Sequence, residues 1–157
     1  MVYLFDLIEK NTTNSNKVLD LYSGVGTLSI VSSSNSNKVL GVEIVENAVK
    51  DAFINKCINK KENVDFICSD TKKVIDKITS EYDTVIVDPP RSGVDKNVLN
   101  KIIDSNIKKV IYVSCNPQTL ARDIKYVENY YYIENIKLLD MFPNTEHVES
   151  FCILTRK

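Results

Sequence analysis

Cys115 is the residue of this 157-residue chain whose setting most clearly suggests chemistry. It ends the apolar run KKVIYVSC (residues 108–115), and Asn116 and Pro117 follow it in the positions of a helix N-cap and a first helical residue. A thiol beside a helix N-terminus has its thiolate stabilised by the helix dipole. On residue type alone a buried core cysteine is the commoner case, but the position at the end of a run favours a nucleophile.

A second group of reactive residue types lies in VDPPRSG (87–93), directly after the run DTVIVD (83–88). Pro89 and Pro90 stiffen this loop and remove two backbone donors. A rigid turn at a strand end would need neither the acid nor the arginine beside the two prolines. Asp88 is therefore a candidate ligand-binding residue.

The stretch LDLYSGVGTLSI (19–30) has the pattern of a loop that binds a nucleoside cofactor. Gly24 and Gly26 permit a tight turn and a close approach of the backbone to a ligand. Glu43 ends the next apolar run, 17 positions after Gly26, where an acid can accept hydrogen bonds from both ribose hydroxyls of an adenosine. Ser29 occupies the place of the third glycine, which disfavours a dinucleotide pyrophosphate site.

Asp70 ends the run VDFICSD (64–70) and has two interpretations. An acid there can accept a hydrogen bond from the amino group of adenine. It can equally be the N-cap of a following helix. The sequence does not separate these roles.

These residues lie at the ends of short apolar runs that predict strands, because the runs are rich in Val and Ile and bounded by turn residues. The runs cover 17–22, 39–44, 64–70, 83–88 and 108–115. Apolar residues recur at helical spacing over 45–57, 94–103 and 120–127. Strand alternating with helix predicts an α/β fold with a parallel sheet covered on both faces. Residues 1–16 predict an N-terminal helix followed by a loop.

The end of the chain has a different pattern. Two strand-like runs, 130–142 and 147–157, are separated only by the loop PNTE. A short loop cannot make the crossover that parallel strands need, so the last strand is predicted to be antiparallel.

Glu149 begins this last strand and would therefore share an edge of the sheet with Cys115 and Asp88. A thiol and a carboxylate at one edge can serve as nucleophile and base. Glu146 and His147 are rival candidates for the base.

Composition limits the classes of function. The formal net charge of −1 provides no global basic field, so a nucleic-acid partner would need most of its phosphate contacts from elsewhere. The four cysteines form no C-x-x-C pair and there is a single histidine, which disfavours zinc or iron–sulfur within this chain. Scattered cysteines, with no membrane-length apolar stretch and no signal-peptide pattern, predict a cytoplasmic protein.

Five motifs together resemble those of the RNA (uracil-5-)-methyltransferases, most of all the bacterial enzymes that act on 23S ribosomal RNA. They are LDLYSGVGTLSI, GVEIVENAVKDA, VIVDPPRSG, VIYVSCNPQTLARDI and DMFPNTEHVES. The resemblance runs from about residue 17 to the C-terminus. It implies a Rossmann-like class I fold dependent on S-adenosylmethionine (SAM), with a mostly parallel seven-stranded sheet whose last strand is antiparallel. Residues 1–157 would form a single catalytic domain.

The resemblance also implies a mechanism, in which Cys115 adds to C6 of a uracil ring. C5 then attacks the methyl group of SAM, and Glu149 removes the C5 proton before Cys115 leaves. The target base has to leave its stack to reach such a site. With the residues predicted above, the cofactor-binding candidates are Tyr22, Gly24, Gly26, Thr27, Glu43, Asp70 and Asp88.

The chain departs from the family pattern in two ways. Ser23 stands where the family usually has cysteine. The family's RNA-binding module, its central domain, its frequent iron–sulfur cysteines and a SAM-contacting glutamine have no counterpart here. The chain is therefore interpreted as a catalytic domain whose RNA partner, 23S rRNA or tRNA, is gripped mainly by upstream domains.

Three other functions stay open. Asp-Pro-Pro also occurs in methyltransferases of exocyclic amino groups, in which Cys115 and Glu149 would be idle. A nicotinamide oxidoreductase is a weaker alternative because of Ser29. The chain could also be a non-catalytic RNA-binding fragment.

Overall fold

The computed structural model describes residues 2–78, 81–105, 107–140 and 148–157, which form one mixed sheet with helices on both faces. The strands are β1 (Lys17–Leu21), β2 (Lys38–Glu43), β3 (Val64–Cys68), β4 (Thr84–Val87), β5 (Lys109–Ser114), β6 (Tyr131–Leu139) and β7 (Glu149–Arg156). The helices are α1 (Val2–Thr12), α2 (Thr27–Ser32), α3 (Glu46–Ile58), α4 (Thr71–Ile78), α5 (Lys96–Asp104) and α6 (Pro117–Val127).

The seven strands lie in the order β3-β2-β1-β4-β5-β7-β6. Strands β1 to β5 pair in parallel, and β7 is antiparallel to both β5 and β6. The predicted α/β class and mostly parallel seven-stranded sheet are confirmed. The antiparallel last strand is confirmed as well, and it lies inside the sheet rather than at its edge.

Both faces of the central strands are buried, which explains why their sequences are continuous apolar runs. In β4, Val85 and Val87 pack under α4, α5 and α6, whereas Ile86 packs under α1, α2 and α3. Successive side chains of a strand point to opposite faces. Apolar residues are therefore favoured at successive positions of such a run.

The strand register brings the predicted site residues to one edge. Leu21 pairs with Val42 and with Val87, so the residues that follow these strands emerge side by side. Because β7 is antiparallel, its first residues lie at the same edge, with Ser114 paired to Ser150. Glu43, Asp88, Cys115 and Glu149 therefore lie at the same edge of the sheet, as predicted.

The helix predicted within residues 1–16 is α1, which extends to Thr12 because Asn11 and Thr12 donate side-chain hydrogen bonds to the carbonyls of Leu7 and Ile8. Glu146 and His147, the rival bases, lie outside the described residues. Within the described ranges, no helix is long and apolar enough to cross a membrane.

Candidate active site

The loop between β1 and α2 has a backbone that depends on glycine. Gly24 and Gly26 have φ angles of 54° and 82°, and the N–H of Gly26 donates to the carbonyl of Ser23 at 2.8 Å. A Cβ on Gly24 would meet nothing within 4 Å, whereas one on Gly26 would come within 2.5 Å of the Phe66 ring. Gly24 thus leaves open space for a ligand. Gly26 is required by the packing beneath the loop.

Glu43 fastens this loop to the end of β2. One carboxylate oxygen accepts from the N–H of Gly24 at 2.9 Å, and the other accepts from the N–H groups of Ile44 and Val45 at 2.8 and 2.9 Å. An ionised carboxylate offers about four acceptor positions. Glu43 can therefore hold the loop and still accept a hydrogen bond from a ligand hydroxyl.

A cavity of about 400 Å³ opens beside this loop, within the usual range for small-molecule sites. The residues that line it are Tyr22, Val42, Glu43, Ile44, Asp70, Thr71, Asp88 and Pro90. Four of the predicted cofactor-binding residues are thus brought together. Gly24 borders the cavity through its bond to Glu43. Thr27 is exposed at the start of α2 and is not among the described lining residues.

Asp70 has the capping role that the sequence allowed, and it also lies at the cavity. Its Oδ1 accepts from the N–H of Lys72 at 3.0 Å, which is an N-cap bond at the start of α4. The same residue lines the cavity. Capping therefore holds this carboxylate at the cavity wall.

Cys115 lies half-buried where β5 ends and α6 begins. Asn116 caps the helix by accepting from the N–H of Gln118 at 3.1 Å, and Pro117 is its first residue, as predicted. Cys152 contrasts with it, because this thiol is buried in the core and burial raises its pKa to about 12. Of these two cysteines, Cys115 is the one at the edge where the other site residues emerge.

Asp88 and Glu149 are close enough to influence each other electrostatically. Burial of the carboxyl, with a smaller contribution from the charge of Glu149, raises the pKa of Asp88 to about 6. The residue as a whole is still exposed to solvent, at the cavity. The edge thus presents a half-buried thiol with two carboxylates that repel each other.

Comparison with known proteins assigns the chain to a family. Residues 3–157 match the model of the tRNA (uracil-5-)-methyltransferases. The chain belongs to this family.

Three similar proteins illustrate the assignment. An uncharacterized RNA methyltransferase of Clostridium acetobutylicum is 45% identical over 145 residues, which are 91% of this chain and 32% of the relative. The Pyrococcus abyssi tRNA (uracil-54, C5)-methyltransferase, solved with S-adenosyl-L-homocysteine, superposes with a TM-score of 0.85 at 37% identity. That match covers 96% of this chain and 37% of the archaeal one. An rRNA methylase of Streptococcus thermophilus shares only the fold, with a TM-score of 0.75 at 13% identity over 98% of this chain and 94% of that one.

The chain spans about a third of the length of curated relatives that it matches, such as the clostridial protein at 32%. Residues 3–157, which match the family model, include every residue that lines the cavity and also include Cys115 and Glu149.

Asp20 was not among the predicted site residues, and it lies in β1 beneath the site. Its side chain is fully buried, and Ser29 Oγ donates to its Oδ2 at 2.5 Å. Burial is the main reason that the pKa of Asp20 is raised to about 7. The bond from Ser29 lowers this pKa, and the charges of Asp88 and Glu43 raise it. A single acid inside the apolar run KVLDLY was the signal that could have found it.

Asp20→Asn is expected to flatten the pH dependence of unfolding. Because the pKa of Asp20 is higher in the folded protein than in the unfolded chain, the folded state binds more protons between about pH 4 and pH 7. The contribution of the neutral Asp20 carboxyl to the free energy of unfolding is thus fully present below about pH 4. It is lost as the pH rises through about 7. At ~1.4 kcal/mol per pKa unit, the rise from 3.8 to about 7 makes this loss roughly 4 kcal/mol in wild type, and the loss is absent from the variant.

Urea unfolding of both proteins at several pH values in this window measures the difference. Asp104→Asn is the control, because this exposed carboxylate in α5 should leave the slope unchanged. Parallel curves for wild type and Asp20→Asn would mean that Asp20 is not neutral in the folded protein.

Proposed function

We propose that this chain is the catalytic domain of a SAM-dependent RNA (uracil-5-)-methyltransferase, which methylates C5 of a uridine through a covalent adduct with Cys115. The observation that carries the proposal is the convergence of Cys115, Asp88 and Glu149 at one edge of the sheet, beside the cavity that Glu43 lines. Family membership supports the same chemistry.

The cavity fits SAM in size and in polarity. Its volume of about 400 Å³ suits a nucleoside ligand. Glu43 and Asp70 offer acceptors for ribose hydroxyls and for an adenine amino group, and Gly24 leaves room for the ligand. Asp88 and its neighbouring carboxylates would balance the positive charge of the sulfonium and ammonium groups.

The proposed reaction needs a nucleophile because C5 of uracil is too weak to take a methyl group unaided. The Cys115 thiolate forms an S–C6 bond, and the electron pair of the C5–C6 double bond moves into the enolate with its reactive carbon at C5. Bound SAM supplies an electrophilic methyl group, which C5 takes as the S–CH₃ bond breaks. Removal of the C5 proton by Glu149 then expels the Cys115 thiolate and restores the ring.

We further propose that RNA contacts come mainly from sequence outside these 157 residues. The net charge of −1 is unsuited to gripping phosphates, and the relatives are about three times as long. The proposed substrate is 23S rRNA, on the motif resemblance. tRNA is the second candidate, since the archaeal neighbour acts on tRNA.

Mass spectrometry with 5-fluorouracil-substituted RNA tests the proposal. Fluorine at C5 cannot leave as a proton, so the enzyme should be trapped through a bond between Cys115 and C6. The chain would be tested alone and joined behind the upstream part of the clostridial relative, with 23S rRNA and tRNA in separate reactions. An adduct on the Cys115 peptide supports the proposal. Methylated RNA without an adduct would indicate an amino-group methyltransferase, and neither product would indicate a non-catalytic RNA-binding fragment.

Glu43→Ala is expected to weaken binding of S-adenosylhomocysteine (SAH) by about 1–3 kcal/mol. The ribose hydroxyls would lose a charged acceptor, and Gly24 would lose the bond that holds its loop. Isothermal calorimetry measures the change. Asp65→Ala is the matched control, because this exposed acid on β3 pairs with Lys56 outside the cavity. Equal affinities for wild type and Glu43→Ala would contradict the proposed cofactor site.

A further inference from the structure

Helix α6 carries a buried carboxylate that the reaction described above does not use. Asp123 is only 2% exposed and lies on the apolar face of the helix, at helical spacing from Leu120 and Val127. A buried carboxylate is costly unless it is paired and hydrogen-bonded. Its partners are therefore informative about its role.

Asp123 is bonded through both of its oxygens. Oδ2 accepts from the N–H of Val94 at 2.8 Å and from the Tyr112 hydroxyl at 2.7 Å. Oδ1 accepts from Nε and Nη2 of Arg122 at 2.9 and 2.7 Å. The carboxylate thus links a loop, a strand and its own helix.

The loop in question is the segment that follows Asp88 and leads into α5. Arg122 Nη2 also donates to the carbonyl of Ser92 at 2.9 Å. A Cβ on Gly93, whose φ is 80°, would come within 2.5 Å of Arg122 and 2.7 Å of Asp123. Only a glycine at this position lets the loop lie directly against the pair.

The beginning of α6 holds the same loop at a further point. Asn116 Nδ2 donates to the carbonyl of Arg91 at 3.1 Å. Bonds from α6 therefore reach the loop at residues 91, 92 and 94. We call the Arg122–Asp123 part of this arrangement the α6 clamp.

The α6 clamp connects the two halves of the proposed site. Helix α6 begins two residues after Cys115, so its N-terminal end locates the thiol. The clamped loop begins directly after Asp88 and includes Pro90, which lines the cavity. One rigid helix thus sets the spacing between the nucleophile and the wall of the cofactor cavity.

We propose that Arg122 and Asp123 are positioning residues for methyl transfer, holding the 89–94 loop so that the cofactor cavity and Cys115 keep a productive spacing. This inference rests on the proposed function. A displacement on the order of 1 Å between reacting groups can cost about 10²-fold in rate. Release of the loop should therefore slow the reaction far more than it unfolds the protein.

A simpler role for Asp123 is to stabilise the core, and Tyr112 allows the two roles to be separated. The Tyr112 hydroxyl belongs to β5 and donates to the same carboxylate oxygen that accepts from Val94. It also interacts with the N–H of Val94, which keeps Asp123 as its acceptor when the hydroxyl is removed. Tyr112→Phe removes one hydrogen bond from Asp123 and leaves the bond from Arg122 to Ser92. Arg122→Lys keeps a positive charge near Asp123 but lacks the planar fork that reaches both partners.

The experiment compares these two variants with wild type in three measurements. They are the thermal midpoint, amide hydrogen exchange over residues 91–95, and the rate of adduct formation on saturating 5-fluorouracil RNA. Arg122→Lys is expected to accelerate exchange of the loop about tenfold or more and to slow adduct formation about 10- to 100-fold. Tyr112→Phe should change the loop exchange rate and the rate of adduct formation by less than about threefold. This holds even if its thermal midpoint falls as far as that of Arg122→Lys.

Different results would overturn the α6 clamp and the proposed function. Wild type without an adduct overturns the proposed function, whereas unchanged loop exchange in Arg122→Lys overturns the α6 clamp whatever the activity. Equal slowing in both variants, in proportion to lost stability, assigns Asp123 a structural role only. Fast exchange with a wild-type reaction rate in Arg122→Lys overturns the positioning role.

Discussion

Cys115→Ala is expected to form no covalent adduct with RNA and to methylate uridine roughly 10⁴-fold more slowly than wild type, or not at all. Without the thiolate no bond forms to C6, so C5 never acquires the electron density to attack a methyl group. Cys115→Ser should behave in nearly the same way, because an alcohol adds to C6 far less readily than a thiolate.

Two measurements check this result. Denaturing gels of each variant with RNA and SAM show an adduct as a slowly migrating band, and transfer of a labelled methyl group to RNA gives the rate. Cys57→Ala is the matched control, because it removes an exposed thiol on α3, outside the site. A Cys115→Ala protein that methylates uridine at the wild-type rate would falsify the mechanism.

Glu149→Gln is expected to block the reaction at a later point. Addition of Cys115 and methyl transfer need no base, so methylated RNA should accumulate while still attached to the protein. Overall turnover should fall about 10²- to 10⁴-fold, the usual contribution of a general base. The Cys115 and Glu149 variants thus differ qualitatively, since only the latter shows a strong adduct band.

An independent readout comes from the neighbouring carboxyl. The charge of Glu149 contributes to the raised pKa of Asp88, so Glu149→Gln should lower that pKa, as an NMR titration would detect. Glu134→Gln, an exposed substitution on β6, is the control for both measurements. Normal turnover by Glu149→Gln would move the base role to Glu146 or His147, each of which can be replaced in turn.

The position of Glu149 could be predicted from local sequence patterns, but its chemical role could not. Glu149 was predicted to join Cys115 because a short loop forces an antiparallel strand, and the register that pairs Ser114 with Ser150 confirms this position. The chemical role of Glu149 stays a prediction. Its charge acts on Asp88 across a gap of 61 residues in the chain, and no local pattern carries that coupling.

Features that depend on neighbouring residues were readable from the sequence. Continuous Val- and Ile-rich runs predicted buried parallel strands because both faces of such strands must be apolar. Asn116 and Pro117 predicted the start of α6 because capping involves residues only two or three positions apart. The edge of the sheet at which Glu43, Asp88 and Cys115 emerge followed from these elements and from the parallel topology.

The tertiary structure decided what depends on residues far apart in the chain. The raised pKa of Asp20 results from burial beneath several elements, and the contact between Gly26 and Phe66 joins residues 40 positions apart. The α6 clamp joins Val94 to Asp123 and Ser92 to Arg122, about 30 positions apart. Periodicity and capping report the local surroundings of a residue, whereas a cavity, a shifted pKa and a clamp arise only when packing brings distant side chains together and excludes water from them.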